Sequence, residues 1–128
     1  MTIRSEIESK LADFASTQNI PVAYENIDFE RPTDGPYLEV FLLGKASKLR
    51  NVAAEGKRVT GMFQVNCYAP VGDGMGDLEA LVDAVIDTYP VLPKIGLVSI
   101  EAPLTASAGM VVDGFMCVPV TGRYRAEF

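Results

Sequence analysis

Gly72-Asp-Gly-Met-Gly76 is the stretch of this chain whose residue types come nearest to a chemical site. Glycines placed just ahead of a helix let backbone N–H groups converge, and a helix start favours anions, so such a turn could cradle a phosphate. The neighbouring residues argue the other way. No Lys-Ser/Thr pair follows, the full dinucleotide pattern is not met, and Asp73 and Asp77 would repel a phosphate. The spacing is therefore read as a flexible strand-to-helix turn. Other chemistries find less support still. The sequence contains no histidine, which removes the commonest general base and the commonest metal ligand. It has no Gly-x-Ser-x-Gly elbow, and Cys67 and Cys117 stand far outside zinc-ligand spacing. We expect no catalytic residue, no metal site and no cofactor.

Charge is distributed more tellingly than chemistry. Asp73, Asp77, Glu79, Asp83 and Asp87 fall between residues 73 and 87 with no Lys or Arg among them. Glu79, Asp83 and Asp87 recur every fourth residue, so on a helix they line one ridge, where like charges are mildly destabilising. Asp87 also falls near the helix C-terminus, which disfavours an acid. Opposing this ridge is the segment 45–58, where Lys45, Lys48, Arg50, Lys57 and Arg58 face only Glu55. Two readings fit. Both runs are ordinary solvated surfaces, or the basic segment of one copy meets the acidic ridge of the next. The second contact joins unlike patches and closes into a ring if the rotation per subunit fits.

The elements that must position these residues follow from length and patterning. A chain of 128 residues, 48% hydrophobic, suits one compact domain over 1–128. Its formal charge of -6 disfavours tight direct binding to nucleic acid, which needs a dense basic surface. The apolar runs are shorter than a membrane span requires, and Met1-Thr-Ile-Arg leads into an amphipathic pattern rather than a signal peptide. Two distant cysteines do not make a disulfide framework. Strand parity sends them to opposite sheet faces, and a buried free thiol at Cys67 fits a reducing cytoplasm.

Residues 2–17 read as a helix, with Ile3, Ile7, Leu11, Phe14 and Ala15 on one stripe and Thr2 as N-cap. Gln18-Asn19-Ile20-Pro21 ends it. Val22–Glu25 is a short strand, Tyr37–Leu43 a longer one, and 44–57 a long hairpin arm or mobile loop. Val59–Ala69 is the next strand, followed by a helix over about 77–89 bearing Leu78, Leu81, Val82, Val85, Ile86 and Tyr89. Strands follow near Leu97–Glu101, near Ala108–Val112 and from Phe115 to about Arg125, the last two joined through Asp113-Gly114. Pro119 implies an edge or a bulge in the last strand. The expected fold is α+β, in the order α-β-β-β-α-β-β-β, with two helices packed on one face of a mostly antiparallel sheet. The opposite face would carry Tyr37, Phe41, Met62, Tyr68, Arg123 and Arg125, residue types enriched in protein interfaces.

Three blocks together resemble a known family: Ile20 through Leu43, Gly61 through Gly76, and Val118-Pro-Val-Thr-Gly-Arg-Tyr-Arg125. They are similar to the tail terminators of long-tailed bacteriophages, the lambda-like minor tail protein U group. The resemblance implies a non-enzymatic structural protein that forms a six-membered ring on the head-proximal end of the tail tube. There it would stop addition of tube subunits and present a surface to head-completion proteins. The implied partners are further copies of itself, the tail tube protein and a head-completion protein. The implied location is the host cytoplasm during assembly and then the virion tail. Two alternatives stay open: a small ligand-binding or enzymatic α+β domain using the Gly72–Gly76 turn, and a related head–tail joining protein.

Overall fold

A computed structural model describes residues 2–49, 57–72, 74–91 and 98–127, with the backbone alone at 45–49 and 57. The elements are α1 (Ile3–Gln18), β1 (Val22–Tyr24), β2 (Tyr37–Leu49), β3 (Lys57–Pro70), α2 (Gly76–Thr88), β4 (Val98–Ile100), β5 (Thr105–Ala106), β6 (Met110–Val112) and β7 (Phe115–Glu127). The expected order holds, with the two-residue β5 added. One seven-stranded sheet runs β1-β2-β3-β7-β4, and β5 and β6 also pair with β7. All pairs are antiparallel except β1 with β2.

α1 begins where the sequence allows a reciprocal cap. The Thr2 hydroxyl accepts the Ser5 N–H at 3.0 Å, and the Ser5 hydroxyl accepts the Thr2 N–H at 2.9 Å. Its stop is set by Asn19 in the left-handed region (φ 57°), with the Ile20 N–H bonded to the Ala15 carbonyl at 3.0 Å. Ile7, Leu11 and Ala15 are buried and Ile3 and Phe14 partly so, as the stripe requires. They meet Leu38, Val40, Phe63, Val65, Cys67, Val118 and Val120 from the sheet and Leu78, Leu81, Val82 and Val85 from α2. At the far end of α2 the Tyr89 hydroxyl donates to the Ile7 carbonyl at 2.7 Å, tying the two helices together.

One open choice is settled and one expectation needs correction. Of the two readings of the segment from residue 44, hairpin arm or mobile loop, its described ends follow the hairpin arm, with the ladder running from Lys45↔Gly61 to Leu49↔Lys57. Gly44, with φ +56°, shifts the register there rather than ending the strand. β3 is held on its other side by β7 as far as Arg58↔Glu127, and this pairing overrides the polar, turn-like composition. Arg50 and residues 51–56 lie outside the described residues. The correction concerns Pro119. β7 is neither an edge strand nor bulged at this point, since Pro119 pairs in register with Asn66 of β3. The Pro119 carbonyl accepts the Ser107 N–H at 2.8 Å. A strand residue points its carbonyl and N–H to the same side. The missing donor therefore falls in the gap between β5 and β6, where no ladder bond is needed.

Candidate functional site

α2 presents the acidic ridge as a real surface. Leu78, Leu81, Val82 and Val85 are buried, while Asp77, Glu79, Asp83 and Asp87 are exposed. Asp73 lies outside the described residues. Among the described residues, no ion pair involves any of these four acids. The turn before α2 reverses the chain through Gly72 (φ 106°) and Gly74 (φ 76°), a backbone region that glycine enters freely. Met75 at the N-cap offers no side-chain hydrogen bond, and Asp77 and Glu79 occupy the first turn. Their carboxylates sit at the positive end of the helix, in the place a phosphate would take. The turn is thus a chain reversal with acids at its exit.

Among the described residues, grooves border this helix on both sides. One, of about 280 Å³, runs between the end of α1 and α2 and includes Phe14, Ile20, Pro36, Pro70 and Leu81 in its walls. Another, of about 310 Å³, lies between α2 and the 106–109 segment, with Val82 and Val118 beside Glu79 and Asp83. Among the described residues, neither shows a nucleophile hydrogen-bonded to a base. Among the described residues, no three potential metal-ligating His, Cys, Asp or Glu side chains gather.

The basic residues expected at interfaces, those of 45–58 for the ridge and Arg123 and Arg125 on the sheet face, are divided. Arg58 is engaged within the molecule, its Nη2 3.0 Å from Glu127 Oε1. Arg125 Nε shares the same carboxylate at 3.5 Å. Lys45, Lys48 and Lys57 lie on the paired ends of β2 and β3. Arg123 is exposed on β7.

The sheet face away from the helices is more closed than its sequence implies. Tyr37 and Tyr68, expected as contact residues, are each only 7% exposed. Their rings stack at 4.3 Å with an interplanar angle of 4°, and Phe115 meets Tyr37 edge-on at 5.3 Å. The connection between β1 and β2 folds over them. Phe29 approaches Tyr37 at 5.6 Å, and Arg31 lies 5.1 Å above the Phe115 ring with Nη1 3.8 Å from Asp113 Oδ2. Phe29 and Arg31 were the available signal, an aromatic and a cation inside an otherwise turn-like loop. Glu39 Oε1 accepts from Asn66 Nδ2 at 2.9 Å and from the Tyr68 hydroxyl at 3.0 Å. Burial, then this carboxylate, raises the Tyr68 pKa. Phe41 and Met62 remain half-buried, so the open part of this face is the region nearer the β2–β3 arm. Cys67 and Cys117 are free and buried on opposite faces, Cys67 in the main core and Cys117 in the aromatic cluster.

The chain belongs to the phage tail terminator family, whose model, described as phage tail terminator protein, matches residues 2–124. It is accordingly a structural component of a phage-type tail that associates with other tail and virion proteins. One solved structure is 29% identical, covers 98% of this chain and 94% of its own, and superposes with a TM-score of 0.78. A second is the virion of a native gene transfer agent particle. It is 16% identical over 98% of this chain and 95% of the other, with a TM-score of 0.62, and shares the fold. No curated protein matches the chain.

Proposed function

We propose that this protein caps the head-proximal end of a tail tube as a ring of six identical copies, ends tube growth there, and turns its outer surface to a head-completion protein. The observation that carries this reading is the family match over residues 2–124. Surface chemistry agrees with it. The grooves lack a catalytic constellation, and the charged residues are sorted into an acidic helix and a basic arm, as a molecule built to bind its own kind requires. The protein acts as a subunit and carries out no reaction. Copies are made in the host cytoplasm and pass into the virion tail. An acidic wall would also leave passing DNA free to slide, because like charge suppresses phosphate binding.

The test is to add purified protein to polymerising tail tubes and measure tube length by electron microscopy. Tubes should stop growing and carry a ring of density at one end. Continued growth at saturating protein, with bare ends, would sink the reading.

A further inference from the structure

We propose that the groove between α2 and the 106–109 segment, with the apolar side chains beside it, is the seat for the basic β2–β3 arm of a second copy. This inference rests on the ring reading and names the contact that would build the ring.

Four of the six large apolar side chains exposed among the described residues gather at one end of the sheet: Val71, Met75, Met110 and Val111. Three local features bring them together. The Val71 N–H bonds to the Gly114 carbonyl at 3.1 Å, which holds the end of β3 against the β6–β7 turn. Met75 and Gly109 line the same groove. Val111 pairs in register with Met116, which packs on the core, so Val111 lies on the helix side of the sheet with the groove, whereas Met110, paired with Cys117 of the aromatic cluster, lies on the opposite face. Val71, Met75 and Val111 thus supply apolar surface near the groove, and apolar side chains clustered in this way mark a contact site more often than scattered ones do.

The groove itself selects the occupant. Val82 and Val118 give it apolar surface, and Glu79 and Asp83, four residues apart on one ridge, stand beside them. An aliphatic stem ending in a cation satisfies both parts at once, with methylenes against the valines and an ammonium against the carboxylates. Such a guest would also relieve the repulsion between Glu79 and Asp83. The arm is where this sequence concentrates lysine, with Lys45, Lys48 and Lys57 among five bases between 45 and 58.

The arm cannot reach its own groove. β3 is extended from Lys57 to Pro70 and paired on both sides along nearly its whole length. At about 3.3 Å per residue this separates the two ends by roughly 40 Å. The arm also offers an open edge to a neighbour. β1 pairs with β2 only as far as Val40, and the next outward N–H, that of Leu42, is taken by Glu25 Oε1 at 2.8 Å. Donor and seat are different surfaces at opposite ends of one sheet, so the contact is heterologous and repeats from copy to copy.

Charge exchange tests this contact. The pair Glu79→Lys with Asp83→Lys, and separately Lys45→Glu with Lys48→Glu, should each raise the concentration needed for rings by about tenfold or more and leave tubes uncapped. The quadruple variant should restore both rings and tube capping. Circular dichroism melts unchanged from the parent would show that each variant still folds. If both double variants assemble as the parent does, or if the quadruple variant fails to recover while folded, the contact is refuted and the ring reading stands. If the parent protein forms no ring at any concentration and caps no tube, the ring reading fails and the contact fails with it.

Discussion

Gly122 and Phe63 sit opposite each other in the β3–β7 register, and the missing side chain of one makes room for the ring of the other. A Cβ at Gly122 would lie 2.6 Å from Phe63 Cε1 and 3.0 Å from Leu104 Cγ. Gly122→Ala should therefore destabilise the fold by about 1–3 kcal/mol, the usual cost of overpacking, read as a lower melting temperature. Gly61 has a similar conflict with Tyr124 and with the Gly44 carbonyl, 2.7 Å from the added Cβ. The hydroxyl of Tyr89 gives a milder test. Tyr89→Phe removes the bond to the Ile7 carbonyl and should cost about 1 kcal/mol, measured by denaturant unfolding. At this scale the sequence was readable where parity decides. Leu38, Val40, Phe63, Val65, Cys67, Val118 and Val120 all face the core as alternation demands. Tyr37 and Tyr68 follow the same parity, yet their burial depends on where a distant loop lands, which alternation cannot encode.

The elements show the same division. Both helices and the Asp113-Gly114 hairpin, with φ 49° and 82°, stand where capping, periodicity and turn chemistry put them. The sequence left arm and loop open, and Pro119 was misread, because each depends on its partners: β7 beside β3 in the first case, the gap between β5 and β6 in the second. Glu25 is the element-scale detail to probe. It lies just past β1, takes the Leu42 N–H, and meets Arg4 Nη1 at 2.9 Å. These two bonds, the backbone one first, lower its pKa. The carboxylate blunts a sheet edge that would otherwise present an open donor. Glu25→Ala should lower stability by about 1 kcal/mol and increase light scattering on heating. An unchanged melt and unchanged scattering would show that this edge needs no cover.

Across the whole molecule, burial acts on the thiols and phenols. All five tyrosines have raised pKa values, with desolvation the largest cause in each. Cys117 is raised for the same leading reason, and Cys67 is pushed up to about 12 from an ordinary thiol value of 9.0. Groups whose folded pKa exceeds the unfolded value keep their protons longer in the native state. Their contribution is complete below the unfolded pKa and declines as pH rises towards the folded one. The melting temperature should therefore fall steadily from about the ordinary thiol value of 9.0 upwards, as followed by calorimetry. Cys67 should resist alkylation in the native state at neutral pH, because the thiolate is the reactive form. A flat alkaline stability profile would contradict the burial of these groups.

β7 has one more consequence, which concerns the order of events during synthesis. β3, β4, β5 and β6 all pair with it, and it follows every one of them in the chain. While the ribosome is still reading those earlier codons, three short strands have nothing to zip onto, and the barrier to misregistered pairing is low. The sheet is thus completed only once β7 has joined the strands made before it.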